Sequence, residues 1–203
     1  MRPVVRQTAP AMIISASYRT DIPAYYGDWF LNRLAAGYVE VRNPYGGKAS
    51  RSSLAPDAIS GFVSWSRNPA PFANAVAAVA ARGAPFIIQM TITGYPRALE
   101  PGVLDTQAAI AAFRDLAGTW GPRAAIWRYD PVLISDLTGP DWHIQNFTQL
   151  AASLAGATDE VVLSHAHIYR KTARNLDRAA QAAGFGWQDP SDADNRALLT
   201  ELA

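Results

Sequence analysis

Apolar runs of strand length recur along the chain and keep ending in a polar cluster built around arginine. Met12–Ser15 leads into Tyr18-Arg19-Thr20-Asp21, Tyr38–Val41 into Arg42-Asn43-Pro44, and Phe62–Trp65 into Ser66-Arg67-Asn68-Pro69. Ala124–Trp127 leads into Arg128-Tyr129-Asp130-Pro131, and Val161–Leu163 into a stretch from Ser164 to Lys171 that holds His165, His167, Tyr169 and Arg170. Between the runs the apolar spacing becomes helical: Tyr26, Phe30 and Leu34 before Gly37, Phe72, Val76, Val79 and Ala80 before Gly83, then Ala109, Phe113 and Leu116, then Ile144, Phe147, Ala151 and Leu154 before Gly156. Strands alternating with amphipathic helices predict parallel βαβ units with right-handed crossovers.

Local signals place the remaining boundaries. Pro23 suits the first turn of a helix, Asp105 or Thr106 caps the helix that follows, and Ser191 with Asp194 makes a capping-box-like start for the last one. Pro85–Ile92 is apolar enough for a buried parallel strand, with Gln89 and Thr91 facing one side at period two. Asn43–Ile59 reads as a long loop on the functional side, with a short strand near Ala49–Ser53. A helix over Lys171–Ala183 ends at Gly184. The count is about six β/α units, fewer than the eight of a closed barrel. The expected fold is α/β, a partial or open TIM-like (β/α) barrel of about six parallel strands in a single domain over residues 1–203; an open doubly wound sheet is the competing topology.

Composition narrows the picture. With 203 residues and 49% hydrophobic content the chain can build one sizeable core. The formal charge of +1 gives no global field for nucleic acid or membrane, so electrostatic specificity has to be local. Cysteine is absent, which removes disulfides, thiolate metal ligands and a chain-encoded iron–sulfur cluster. The stretch Met1–Ala11 has Arg2 and Arg6, but the apolar run behind it is far shorter than a signal-peptide core. No run reaches the length of a membrane span, and cytoplasmic residence is the expectation.

In a parallel α/β protein the carboxyl ends of the strands share one face, so these sequence-distant clusters can converge on one site. Arg19, Arg42, Arg67 and Arg128, with Asn43 and Asn68 beside them, are the candidate ligand-binding residues, because a guanidinium fork matches a carboxylate or phosphate. The alternative is that these arginines pair with Asp21, Asp130 and backbone carbonyls as clamps at strand ends. Asp21 and Asp130 are the candidate general bases, against helix capping for Asp21 and an Asx-type turn for Asp130. Gln89 and Thr91 are candidate ligand contacts, or partners of Arg128 or Asp21 across strands, while Tyr169 and Lys171 add an acid and a cation to the same rim. His165 and His167 have an i, i+2 spacing that metal sites use, without a third ligand at a characteristic distance, and no metal site is assigned. Tyr45-Gly46-Gly47-Lys48 is either a phosphate-binding turn or a surface turn, and Trp65 and Trp127 either stack on a flat ligand or are simply buried. No P-loop, dinucleotide fingerprint or nucleophile elbow is present.

Six motifs in order, Ile13-Ile14-Ser15-Ala16-Ser17-Tyr18-Arg19-Thr20-Asp21-Ile22-Pro23, Gly37-Tyr38-Val39-Glu40-Val41-Arg42-Asn43-Pro44-Tyr45, Trp65-Ser66-Arg67-Asn68-Pro69, Thr91-Ile92-Thr93-Gly94-Tyr95, Ile126-Trp127-Arg128-Tyr129-Asp130-Pro131 and Ile168-Tyr169-Arg170-Lys171, resemble a bacterial family catalogued as a domain of unknown function, DUF1848. The resemblance covers nearly the whole chain and carries no settled reaction. It implies that longer members have a cysteine-rich C-terminal segment, and that the family is distantly similar to radical S-adenosylmethionine enzymes of the spore photoproduct lyase type, which fold as partial β/α barrels. This chain departs from that pattern, having no cysteine to bind a cluster. Either it continues into such a segment or it is a shortened member with another task. The cofactor is therefore open, with S-adenosylmethionine compatible. The leading expectation is an enzyme-type barrel that binds a small anionic or nucleotide-like ligand. A nucleic-acid-associated module and a non-catalytic partner subunit are the alternatives; oligomeric state is open, and no membrane partner is expected.

Overall fold

The computed structural model describes residues 12–17, 19–43 and 46–203; Tyr18 and Pro44 of the motifs, Tyr45 of the glycine-rich turn and the 1–11 stretch weighed as a leader lie outside the described residues. The chain packs as two units, one ending at Ile88 and one beginning at Gln89.

In the first unit β1 (Met12–Ser15) runs into a short helix α1 (Ile22–Tyr25) and then α2 (Gly27–Ala36). Asp21 caps α1 through a bond from the Ala24 N–H, with Pro23 in the first turn. The stripe expected from Tyr26, Phe30 and Leu34 is only partly correct. The helix breaks at Tyr26, which is 48% exposed, whereas Phe30 and Leu34 are buried. β4 (Ile59–Ser66) pairs parallel with β1, and a 3₁₀ turn (Ala70–Phe72) leads into α3 (Ala73–Ala81). Phe30 makes edge-to-face contacts with Phe62 of β4 and with Phe72, with centroids 5.5 and 4.9 Å apart, which fixes α2 against the strand.

β2 (Tyr38–Val41) corrects the expected count. It is not a strand of the parallel sheet but pairs antiparallel with β3 (Ser50–Ser53), the short strand expected in the long loop. The physical reason is visible in its composition: a strand buried on both faces needs an unbroken apolar run, and Tyr-Val-Glu-Val puts a carboxylate at its third place. A two-stranded ribbon leaves Glu40 and Val41 in water. Tyr38 is held under two guanidiniums, Arg51 at 3.5 Å and Arg33 at 5.8 Å from its ring centroid.

β5 (Phe86–Thr91) is followed in the second unit by α4 (Thr106–Trp120), β6 (Ala125–Val132), α5 (Pro140–Leu154), β7 (Val161–His165), α6 (Arg170–Ala183) and α7 (Asp192–Leu202). Asp105 caps α4 and Ser191 caps α7, as their sequence positions suggest. β6 is longer than expected and contains Arg128-Tyr129-Asp130-Pro131, which the sequence places after the strand. β6 and β7 pair in parallel, Arg128 opposite Val162. The core of this unit joins Met90, Ile92, Phe113, Trp127, Tyr129, Leu150, Leu154 and Leu198. The class is thus α/β, a parallel sheet in the order β1-β4-β5-β6-β7 flanked by helices: an open, partial barrel, with five strands rather than six.

Candidate functional site

The strand ends of the first unit are tied together by one carboxylate. Asp21 Oδ1 accepts from the Ala24 N–H at 3.0 Å, while Oδ2 accepts from Ser66 Oγ and from the Arg67 N–H, both at 3.1 Å. Ser66 Oγ accepts in turn from the Asn68 N–H at 3.0 Å, and Asn68 Oδ1 from the Ala70 N–H at 3.3 Å. Asp21 therefore fills the capping role and also joins the loop after β1 to the end of β4. In the loop after β1, Ser17 Oγ is buried without a hydrogen-bond partner among the described residues.

A cleft of about 410 Å³ opens in the same unit. Ile14, Ala16, Trp29, Val39, Val41 and Leu54 give it apolar walls, and Arg19, Arg33 and Arg42 rim it against a single carboxylate, Glu40. The lining thus carries a formal excess of two positive charges, three guanidiniums less one carboxylate. Arg19 Nη1 donates to the Arg42 carbonyl at 2.9 Å, which fixes one arginine by the backbone of another and leaves the Arg42 side chain out of that bond. Of the expected ligand residues, Arg19 and Arg42 line this cleft; exposed Asn43 follows Arg42, and Arg67 and Asn68 belong to the Asp21 network. Arg33 and Trp29 were not legible as candidates. Their one signal is an i, i+4 spacing on the helix that precedes the hairpin.

In the second unit Arg128 is clamped. Its Nε donates to Asp130 Oδ1 at 3.3 Å, its Nη2 pairs with Asp130 Oδ2, and its Nη1 donates to Gln89 Oε1 at 2.7 Å. Ser164 Oγ donates to Asp130 Oδ2 at 3.1 Å from the neighbouring strand. Thr91 is half-buried on the same face of β5 as Gln89. Tyr169 is 70% exposed and precedes α6, where Lys171 is also exposed. His165 and His167 stand 4.8 Å apart by ring centroids in a polar groove with Asp189 and Asp192, and no group of three metal-ligating side chains occurs among the described residues. Trp127 is buried, its Nε1 donating to the Ile92 carbonyl at 2.9 Å and its ring stacked on Phe147.

The second unit also holds a buried polar chain not anticipated from the sequence. His143 Nε2 faces the Leu133 carbonyl at 3.0 Å and so carries the proton; Nδ1 then accepts from the Tyr129 hydroxyl at 2.7 Å. The Asn146 amide donates to that hydroxyl at 3.0 Å and to the Thr93 carbonyl at 2.8 Å. Burial pushes the Tyr129 phenol up to about 12, against the Asn146 bond, and pushes the His143 imidazole below its ordinary value, against the Leu133 bond. Each of these groups is satisfied in its neutral form.

The geometry defines an α/β protein with an open parallel sheet and arginine-bearing strand ends. Residues 13–203 match the model of DUF1848, a domain of unknown function, and the chain belongs to that family. No curated protein and no solved structure matches it. The iron–sulfur cluster implied by the wider resemblance does not fit this chain's residues, because they supply no thiolate. No helix among the described residues is long and apolar enough to cross a membrane.

Proposed function

We propose that this DUF1848 protein binds a small anionic, nucleotide-like molecule in the cleft of its first unit. The observation that carries the reading is the combination of apolar walls with three guanidiniums, Arg19, Arg33 and Arg42, around about 410 Å³. That volume lies in the range of small-molecule sites, and such sites are mostly apolar with a few placed polar groups. The guanidiniums suit a phosphate or carboxylate, and the half-open face of Trp29 suits a planar ring. Asp21 and Asp130 each accept hydrogen bonds on both oxygens, so the proposal assigns them to holding loops and strands in place and concerns recognition rather than a reaction.

Titration calorimetry with adenosine 5′-monophosphate, S-adenosylmethionine, adenosine and inorganic phosphate tests it. A compound that joins the ring to an anion should bind more tightly than either half, and Arg42→Ala should weaken it about tenfold, or about 1.4 kcal/mol. Because the Arg42 carbonyl, not its side chain, holds Arg19, that substitution leaves Arg19 in position. Equal binding to wild type and to Arg42→Ala and Arg19→Ala variants excludes the cleft.

A further inference from the structure

The α6 helix gathers its basic residues on one side, with its acid Asp177 about 20° beyond the Arg170 edge. Arg170, Lys171, Arg174 and Arg178 are all exposed, and at 100° per residue they fall within an arc of about 100°. Thr172, Ala173, Leu176, Ala179 and Ala180 lie on the opposite side and are half-buried. The acidic residue of this helix, Asp177, accepts from Trp187 Nε1 at 3.0 Å. With a formal charge of +1 for the whole chain, this stripe is a local concentration of charge rather than part of a general field.

We infer that the exposed face of α6 docks on the phosphate backbone of a duplex nucleic acid. From Arg170 to Arg178 the helix axis advances about 12 Å, a length over which each strand of a duplex presents about three to four phosphates. Four cations therefore meet a phosphate row of matching density. Three of them are arginines, whose planar fork takes phosphate oxygens two at a time. An anionic membrane surface is the poorer match, because an interfacial helix needs an open apolar face and that of α6 is turned inward. The contacts are to backbone, so binding is independent of base sequence. The inference does not rest on the arginine cleft and can fail separately from it.

Fluorescence anisotropy with a labelled 20-base-pair DNA duplex and an RNA duplex, between 25 and 200 mM NaCl, tests the assignment. Four phosphate contacts give a slope of log K against log salt of about −3 to −4. Arg174→Ala/Arg178→Ala should reduce that slope by about two, and Arg178→Ala alone by about one. Arg174→Lys/Arg178→Lys should keep it. All these positions are exposed, and circular dichroism checks that the fold is retained. Absence of binding to both duplexes at 25 mM NaCl overturns the assignment, as does a slope unchanged in the alanine variants. Stripe-dependent binding to phosphatidylserine vesicles without duplex binding overturns it in favour of a membrane surface.

Discussion

Arg128 and Asp130 stand two positions apart on β6, and that spacing is why they pair. Residues i and i+2 of a strand point to one face, which brings the guanidinium alongside the carboxylate it binds through both Oδ1 and Oδ2. Their side chains are 21% and 16% exposed, too enclosed to be treated as a surface pair. Gln89 and Ser164 fill one further position on each, so the pair joins β5, β6 and β7. Arg128 thus makes the pairing with Asp130 that the sequence offered beside ligand binding.

Removing both partners should therefore cost less than the two single removals added together. Asp130→Ala leaves Arg128 enclosed without its counter-charge and is expected to cost about 2–4 kcal/mol. Arg128→Ala/Asp130→Ala should be less destabilised than the two single losses summed, with a coupling of about 1–3 kcal/mol. Urea unfolding of the four species measures it. Additive losses would falsify the pairing as an energetic unit.

The sequence made the sheet legible where burial is two-sided and failed where it is not. Pro85–Ile92 became β5 because its unbroken apolar run has no other stable use, whereas Tyr38–Val41 carries Glu40 and left for a hairpin. Length alone does not separate those cases. Arg19 and Arg42 could be found from the strand-end pattern. Arg33 and Trp29 could not, because their part in the cleft depends on how α2 sits against the hairpin, a tertiary fact. The same holds for His143 and Asn146, which meet Tyr129 only once α5 packs on β6.

Asp21 joins a helix cap to a loop tie, and the two can be separated. Asp21→Ala loses three hydrogen bonds and should destabilise by about 2–4 kcal/mol. Asp21→Asn keeps an acceptor for the Ala24 N–H and should lose about half as much, through the weakened tie to Ser66 and Arg67. Thermal denaturation ranks the pair; equal losses would show that the tie to Ser66 and Arg67 carries the whole effect.

Gly94 has a positive φ of 66°, and a Cβ there would stand 2.7 Å from Asn146 Oδ1. The Asn146 amide cannot yield cheaply, since it is tied to the Thr93 carbonyl and the Tyr129 hydroxyl. Gly94→Ala is expected to cost about 2–3 kcal/mol, from the left-handed backbone and a displaced hydrogen bond together. In an Asn146→Ala background the obstructing atom is gone, and the added cost of Gly94→Ala should fall to the backbone part, about 1–2 kcal/mol. An undiminished cost in that background removes Asn146 from the explanation.

The buried Tyr129–His143 pair should limit stability at both ends of the pH scale. For His143 the folded value lies below the ordinary 6.5. Its contribution is complete above pH 6.5 and is lost as pH falls from there toward the folded value, because the unfolded chain takes up a proton that the fold refuses. For Tyr129 the folded value rises from 10.0 to about 12, so its contribution is complete below pH 10 and is lost between pH 10 and 12. The alkaline loss amounts to about 3 kcal/mol at most, since one pKa step corresponds to about 1.4 kcal/mol. Tyr129→Phe isolates this loss from the titration of every other tyrosine and lysine: wild type should exceed the variant in unfolding free energy by about 1–3 kcal/mol at pH 8. That advantage should shrink by about 2 kcal/mol as pH approaches 12, because phenylalanine has no proton to lose. A difference that stays constant from pH 8 to pH 11.5 in guanidinium titrations contradicts the burial of the phenol.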